Sequence, residues 1–360
     1  TAAIINIEEK SLINIRLEKI VDDLRVRRKY EFGIYTYWKT QLRVPKLNRI
    51  NAWLWIKTAI FVTEKFISEQ GKPDLIQAHS CMWGGYVAGV IKKRYGIPYV
   101  ITEHRGRFNE KNFYKQQEIN SWHYPLLKSA LIGAGAIIPV SEKMVSVLED
   151  IAGRKLPCKP IPNPVNENVF KPGEGLKNNI EDTVFLSITN FQPYKAIDVL
   201  IKAFYLASQK QSNICLHIAG EGPDRRDYIA LAENYKLNEK IFFDGRKTQL
   251  EIKELINACD FLVLSSHNEG QPVSIGESAL CGKPVICTNV VSETDVPDFA
   301  GFITETGNPE SLANAMLIGH NRKKDFNTDK IRTHALERFS RKVVMAEITE
   351  VMTNVIRSNV

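Results

Sequence analysis

The chain has 360 residues, 44% of them apolar and 25% charged, with a net charge of +7. That is enough length and apolar content for two ordinary domains and excludes a disordered chain, and the longest unbroken apolar run, Ala130–Val140 at 11 residues, falls short of the ~20 needed to span a bilayer. The charge is uneven: residues 1–172 carry 27 Lys and Arg against 16 Asp and Glu, so that half calls for an acidic partner.

Thr1–Ile7 reads as a strand. Residues 10–50 are basic and irregularly patterned, with Arg25, Arg27, Arg28 and Lys29 beside Tyr30 and Phe32, and read as a solvated stretch. No interleaved stacking motif or recognition-helix pattern accompanies the charge, which argues against nucleic acid and leaves an anionic membrane surface or a merely solvated face. Between Asn51 and Gln70, Trp53, Trp55, Ile56, Ile60, Phe61 and Phe66 combine a helical stripe with aromatic excess. The spacing predicts a helix that packs on the core or lies on a membrane surface.

From Asp74 the pattern becomes regular. Leu75–His79 is a strand, Gly84–Tyr95 a helix, and Pro98–Thr102, Ala136–Val140 and Lys159–Pro162 are strands. Alternation of this kind predicts a parallel sheet covered on both faces, with ligands at the strands' carboxyl ends. His79 and His104 lie at those ends, and Arg105 and Arg107 follow. The stretch Ile161–Pro172 is rich in Pro and Asn and reads as a turn-forming connection.

A second alternation then begins. Strands are expected at Val184–Ile188, Ile214–Ala219, Ile241–Phe243, Phe261–Leu264, Pro284–Cys287 and Gly301–Thr304, and helices at Ile197–Ser208, Arg225–Tyr235, Leu250–Ala258 and Val273–Cys281. Lys195 sits just before the first of these helices. A cation there is electrostatically disfavoured, which argues that Lys195 meets an anion. Two nucleotide fingerprints fail: Arg225 stands where a third glycine should follow Gly220 and Gly222, and Pro284 stands where a P-loop needs Ser or Thr.

The densest signal is Ser265–Pro284. A strand ends, Glu269 and Gly270 form a loop, Pro272 opens a helix and Gly282 closes it, leaving the amides of Gln271, Val273 and Ser274 at or near an unpaired amino end that attracts anions. Glu277 follows Glu269 by eight positions. Two carboxylates beside an anion site make sense if they grip hydroxyls while amides and a nearby cation hold phosphate, and a nucleotide sugar offers both. The tail from Phe339 places apolar residues at 343, 344, 348, 351 and 355, an amphipathic helix. The six cysteines form no C-x-x-C pair and read as buried thiols of a reducing compartment.

The string from Glu269 to Val285, E-G-x-P-x3-G-E-x4-G-x-P-V, resembles the donor site of the retaining glycosyltransferases of the GT-B fold, family 4. The resemblance runs from about Asp74 to the end. It implies an α/β fold of two Rossmann-like, doubly wound parallel-sheet domains facing each other across a cleft: an acceptor-side domain at 1–165, a nucleotide-sugar domain at 166–338, and a helix at 339–360 that returns to the first. It also implies that the family's first βα unit is missing here.

By the same resemblance His104 approaches the donor sugar and acceptor. Lys195 matches the lysine of a phosphate-binding string whose arginine is here Asn190 and whose glycine is Ala196, with Arg225 or Arg226 as candidate replacements for the lost cation. Gly245 and Arg246 lie in a turn whose backbone faces the base. The expected catalytic residues are His104, Lys195 and Glu269, and the expected donor-binding residues are Asn190, Lys195, Gly245, Arg246, Glu269, Gly270, Gln271, Pro272, Val273 and Glu277.

In that reading a hexose moves from a UDP- or GDP-linked sugar to a hydroxyl of a glycan or lipid-linked acceptor, with a growing surface polysaccharide as the expected setting. The chain has no acidic D-x-D motif in a suitable loop, so no metal and no cofactor are expected. The expected location is the cytoplasm, at the inner face of the membrane if the acceptor is lipid-linked. A catalytically silent nucleotide-sugar-binding module and a sugar-nucleotide epimerase of the same architecture are the alternatives.

Overall fold

The computed structural model describes residues 2–11, 25–109, 121–173 and 182–359. Strand β1 (Ala2–Ser11) pairs in parallel with β3 (Ile34–Arg43), and β2 (Arg27–Glu31) pairs antiparallel with β3. The run expected to be irregular therefore holds a hairpin. Its turn residues Phe32 and Gly33 both have positive φ, 51° and 80°, the conformation that matches the twist of a two-residue hairpin. All five residues of β2 are exposed, so no apolar alternation marked it in the sequence.

Helix α1 (Asn48–Gln70) lays Val62 and Phe66 against Tyr37 of β3, and Ile56 and Ile60 against Val87 and Ile91 of α2 (Tyr86–Tyr95). Strands β4 (Ile76–His79), β5 (Tyr99–Glu103) and β6 (Ala136–Pro139) form a parallel sheet. Helices α3 (Tyr124–Gly133) and α4 (Lys143–Ala152), which were not anticipated, pack on it through Leu127, Leu131, Val147 and Leu148. The apolar run at 130–140 is thus the end of α3 followed by β6.

The strand expected at Lys159–Pro162 is not one. The only bridge there is an isolated one at the preceding residue, Cys158, with Ile137. The amides of Lys159 and Ile161 donate to the carbonyls of Ile137 and Pro139 at 2.9 and 3.0 Å, but Pro157, Pro160 and Pro162 have no amide to extend the ladder.

The second unit is a six-stranded parallel sheet in the order β12-β11-β10-β7-β8-β9. Its elements are β7 (Thr183–Ile188), α5 (Ile197–Ser208), β8 (Ile214–Ala219), α6 (Arg225–Asn234), β9 (Ile241–Gly245), α7 (Gln249–Ala258), β10 (Phe261–Leu264), α8 (Val273–Leu280), β11 (Val285–Thr288), β12 (Gly301–Thr304), α9 (Pro309–Arg322) and α10 (Thr328–Phe339). One face of the sheet is filled by Phe185, Phe204, Phe261 and Met316, the other by Leu186, Leu262, Ile275 and Phe339. Near-continuous apolar strands are what two covered faces require.

The last helix, α11 (Arg341–Arg357), leaves this unit. Its Val344, Val351 and Val355 pack with Val100, Ala136 and Ile138 of the β4–β6 sheet and with Ile161 beside it. The two crossings between units touch: the Val165 amide donates to Phe339 O at 2.8 Å, and the Arg341 amide to Val165 O at 3.0 Å. All six cysteines are free.

Candidate active site in the cleft

Carboxyl ends of strands from both units meet at the cleft. On the first side β5 ends in Glu103, which is fully buried. Its carboxylate accepts from the Ser80 hydroxyl (3.2 Å), the Cys81 amide and thiol (2.8 and 2.7 Å), and the amides of His104 (3.1 Å) and Arg105 (3.0 Å). One carboxylate thereby fixes the loops that follow β4 and β5. A buried charge survives only with such a set of donors. Burial and the neighbouring Glu103 hold the Cys81 thiol well above its usual range.

His104 leaves that loop toward solvent. Its Nε2 lies 3.1 Å from Nδ1 of His79, with the two rings stacked at 10°, and its Nδ1 lies 3.0 Å from Oδ1 of Asn163. Burial, and then the neighbouring His104, lower the pKa of His79. The Asn163 Nδ2 donates to the Gln271 main-chain carbonyl at 3.1 Å and to its side-chain Oε1 at 3.0 Å. With Nδ2 spent in this way, Oδ1 is the acceptor that faces His104, so a neutral His104 carries its proton on Nδ1.

On the second side the loop after β10 carries Ser266, Glu269, Gly270 and Gln271. Glu269 is 8% exposed, and its Oε1 takes Lys195 Nζ at 2.6 Å and the Ser266 hydroxyl at 2.6 Å. Lys195 sits in the 3₁₀ turn Pro193–Lys195 before α5, with its Nζ also 5.3 Å from the ring centroid of Tyr194. The anion that this lysine meets is therefore Glu269. Pro272 caps α8 with no side-chain bond to the helix amides. That helix is drawn in tightly, because a Cβ on Gly276 would lie 2.8 Å from Cγ2 of Val165 and 3.1 Å from Cγ of Phe339.

The two sides touch. A Cβ on Gly270 would overlap the carbonyl oxygen of His104, and one on Gly106 would come within 2.8 Å of the Glu269 carbonyl carbon. Lys143 Nζ, at the start of α4, reaches the carbonyls of Asn289 and Val291, the latter at 2.9 Å. His104, Lys195, Glu269, Gly270 and Gln271 thus form one cluster across the cleft.

Other expected residues lie outside that cluster. Val273 is 41% exposed at the helix start. Glu277 is about one turn along α8, where burial raises its carboxyl to about 7. Asn190 is exposed, and its carbonyl accepts from the Gln192 amide at 3.0 Å. Gly245 ends β9 and receives the Gly220 amide on its carbonyl at 2.9 Å, with Arg246 exposed beside it. Arg225 is engaged locally, 3.5 Å from Glu221 and 3.4 Å from the Phe243 carbonyl.

Sequence reasoning assigned no site role to Glu103, Asn163 or Ser266. In the sequence Asn163 reads only as a turn residue. Its partner Gln271 is 108 positions away, and no local pattern encodes that pairing.

Two family models match consecutive stretches of the chain: Glycosyltransferase Family 4 over residues 23–169 and Glycosyl transferases group 1 over residues 174–324. An uncharacterized glycosyltransferase of Methanocaldococcus jannaschii is 26% identical over 319 residues, 85% of this chain and 83% of its own length. Further relatives are matched over 50–61% of their own lengths. Among solved structures, sucrose-phosphate synthase from Thermosynechococcus elongatus has a TM-score of 0.75 at 17% identity, covering 92% of this chain and 86% of that one. Anabaena HepE in complex with UDP-glucose has a TM-score of 0.66 at 19% identity, covering 88% and 86%. The fold is GT-B.

Proposed function

This chain belongs to the group 1 glycosyltransferases of family 4, and from that premise we propose that it moves a hexose, with retention at the anomeric carbon, from a UDP- or GDP-linked donor to a hydroxyl of a glycan or lipid-linked acceptor. The observation that carries this reading is the Lys195–Glu269 pair beside the uncapped start of α8, facing His104 across the cleft. The difficult event is departure of a diphosphate. Lys195 is placed to turn from Glu269 to that growing charge, together with the helix amides, and preorganised groups of this kind contribute ~3–4 kcal/mol each. Glu269, once released, accepts hydrogen bonds from hydroxyls of the sugar, and Glu277 from those of the ribose. The cation and the amides together neutralise the leaving group, so the reading needs no metal.

Surface polysaccharide synthesis at the inner face of the membrane is the setting we infer for a lipid-linked acceptor. The basic first half of the chain supports it. A second reading, a nucleotide-sugar-binding module without turnover, is favoured by one observation. Asn190 contributes no charge, and Arg225, a possible substitute, is held by Glu221 and the Phe243 carbonyl.

Incubating the protein with a panel of UDP- and GDP-sugars and following the products by proton NMR separates the readings. Free or transferred sugar with its original anomeric configuration is the expected result. Inverted product refutes retention, a 2-epimer means an epimerase, and binding without turnover means the module.

A further inference from the structure

Helix α1 buries one face and leaves the other without a partner among the described residues. Ile50, Trp53, Lys57 and Phe61 follow one another at helical spacing on that outer face, and Lys46 and Leu47 precede them. Leu47 is 44% exposed, Ile50 50%, Trp53 56% and Phe61 52%. Isolated exposed apolar residues need no explanation, but a row of them on one helix does.

The charge around this row has a single sign. Residues 32–63 contain five basic side chains, Lys39, Arg43, Lys46, Arg49 and Lys57, and no Asp or Glu. The nearest carboxylates in sequence are already paired: Glu31 with Lys29 at 2.5 Å, and Glu64 with Arg94 at 2.5 Å. Two of the cations lie over the exposed rings. Lys57 Nζ is 5.6 Å from the Trp53 centroid, and Lys39 Nζ, from β3, is 5.2 Å from that of Phe61. Apolar rings and ammonium groups are thereby held side by side, as at the boundary between acyl chains and phosphates.

We propose that this face of α1 docks the protein on an anionic lipid surface. Trp53 and Phe61 enter the headgroup region, while Lys46, Arg49 and Lys57 meet lipid phosphates. The amino end of α1 lies near the acceptor side of the cleft: Arg49 stands 5.8 Å over the ring of Trp122, which stacks on Trp83 in the loop after β4, the strand that ends in His79. A lipid-linked acceptor held in that surface would reach the rim that carries His79 and His104. This deepens the acceptor side of the proposed function.

The test is sedimentation of the whole protein with vesicles of phosphatidylcholine alone or mixed with phosphatidylglycerol. We expect binding to the mixed vesicles only, falling steeply as salt is raised above ~0.1 M. The combined Lys46→Glu, Arg49→Glu and Lys57→Glu variant should lose at least about tenfold in partitioning. Trp53→Ser with Phe61→Ser should weaken it at low salt. Lys210→Glu with Lys324→Glu, exposed cations of the second unit, should leave it unchanged, and circular dichroism should match for all variants. Absence of binding, equal binding to uncharged vesicles, full binding by the triple variant, an equal loss in the second-unit control, or binding of a soluble acidic polysaccharide in place of vesicles would each overturn the proposal. The assay contains no sugar donor, so its failure leaves the transferase reading to the donor panel.

Discussion

Lys195 and Glu269 meet across 74 residues of sequence in a 2.6 Å ion pair whose side chains are 16% and 8% exposed. The Ser266 hydroxyl donates to the same oxygen, so a cation and a hydroxyl converge on one largely buried carboxylate oxygen.

Removing the cation should therefore hurt turnover more than donor binding, because charge on the departing oxygen grows only as the sugar bond breaks. Lys195→Ala is expected to lower kcat by about 100-fold or more with a much smaller change in KM. It also takes the cation from a buried carboxylate, so Lys195→Ala combined with Glu269→Gln should unfold at a higher temperature than Lys195→Ala alone. Asn190→Arg should leave kcat unchanged or raise it. Normal turnover by Lys195→Ala alongside a dead Arg225→Ala would move the phosphate site to the Gly220–Pro223 loop.

Glu277 makes a prediction with a sign. Its carboxyl is raised from 4.5 to about 7 by burial alone, so between those values the native state holds a proton that the unfolded state has lost. Stability attributable to this position falls as pH rises through that window and stays low above it. Glu277→Gln should thus stabilise the ligand-free protein by ~2–3 kcal/mol at pH 8 and by much less at pH 5. The same variant should weaken UDP or GDP binding by about 1–2 kcal/mol, since a charge-assisted bond to a hydroxyl becomes a neutral one. Calorimetry with the free nucleotides and thermal melts at the two pH values check both halves.

Gly270 is a glycine because of a neighbour in the other unit. A Cβ there would overlap the His104 carbonyl oxygen, at a contact between the two units. Gly270→Ala should fold with a near-native melting temperature, show a larger radius of gyration by small-angle scattering, and lose most of its turnover. An unchanged radius with full activity would mean that closure at this point is not needed.

The second unit was largely legible from sequence, and the reason is physical. Its strands are buried on both faces, so Val184–Ile188, Ile214–Ala219 and Phe261–Leu264 stand out as apolar runs ended by small polar residues. The hairpin at 27–43 was not legible, since β2 buries nothing. Helices α9 and α10 were passed over although Asn308 and Asn327 cap them, accepting from the amides of Ser311 and Lys330 at 2.9 Å each. Lys195 and Glu269 were each picked out, and the tension between a cation and a helix amino end pointed to an anion. That the anion in the ligand-free fold is Glu269 itself, and that Asn163 connects His104 to Gln271, are contacts between distant loops with no periodic signature.

Arg338 holds Asp295, which is 4% exposed, at 2.8 Å and stands 3.8 Å from Glu142 of the first unit. Burial raises the Asp295 pKa and Arg338 opposes the rise. Arg338→Ala leaves a buried carboxylate without its cation and should cost about 3–5 kcal/mol in chemical denaturation, with part of the loss recovered in the Asp295→Asn double variant.

The return of α11 to the first sheet also sets an order of events during synthesis. Val100, Ala136, Ile138 and Ile161 are translated early, yet the side chains that cover them, Val344, Val351 and Val355, emerge from the ribosome only after the whole second unit. Until then a patch of the first sheet must wait uncovered, a holding period in which chaperones would compete for it. A nascent chain arrested after Ser340 should be cut in its first unit by a limiting dose of protease, and one extended past Arg357 should resist. The amino-terminal half can therefore complete this part of its core only after the second unit has been made.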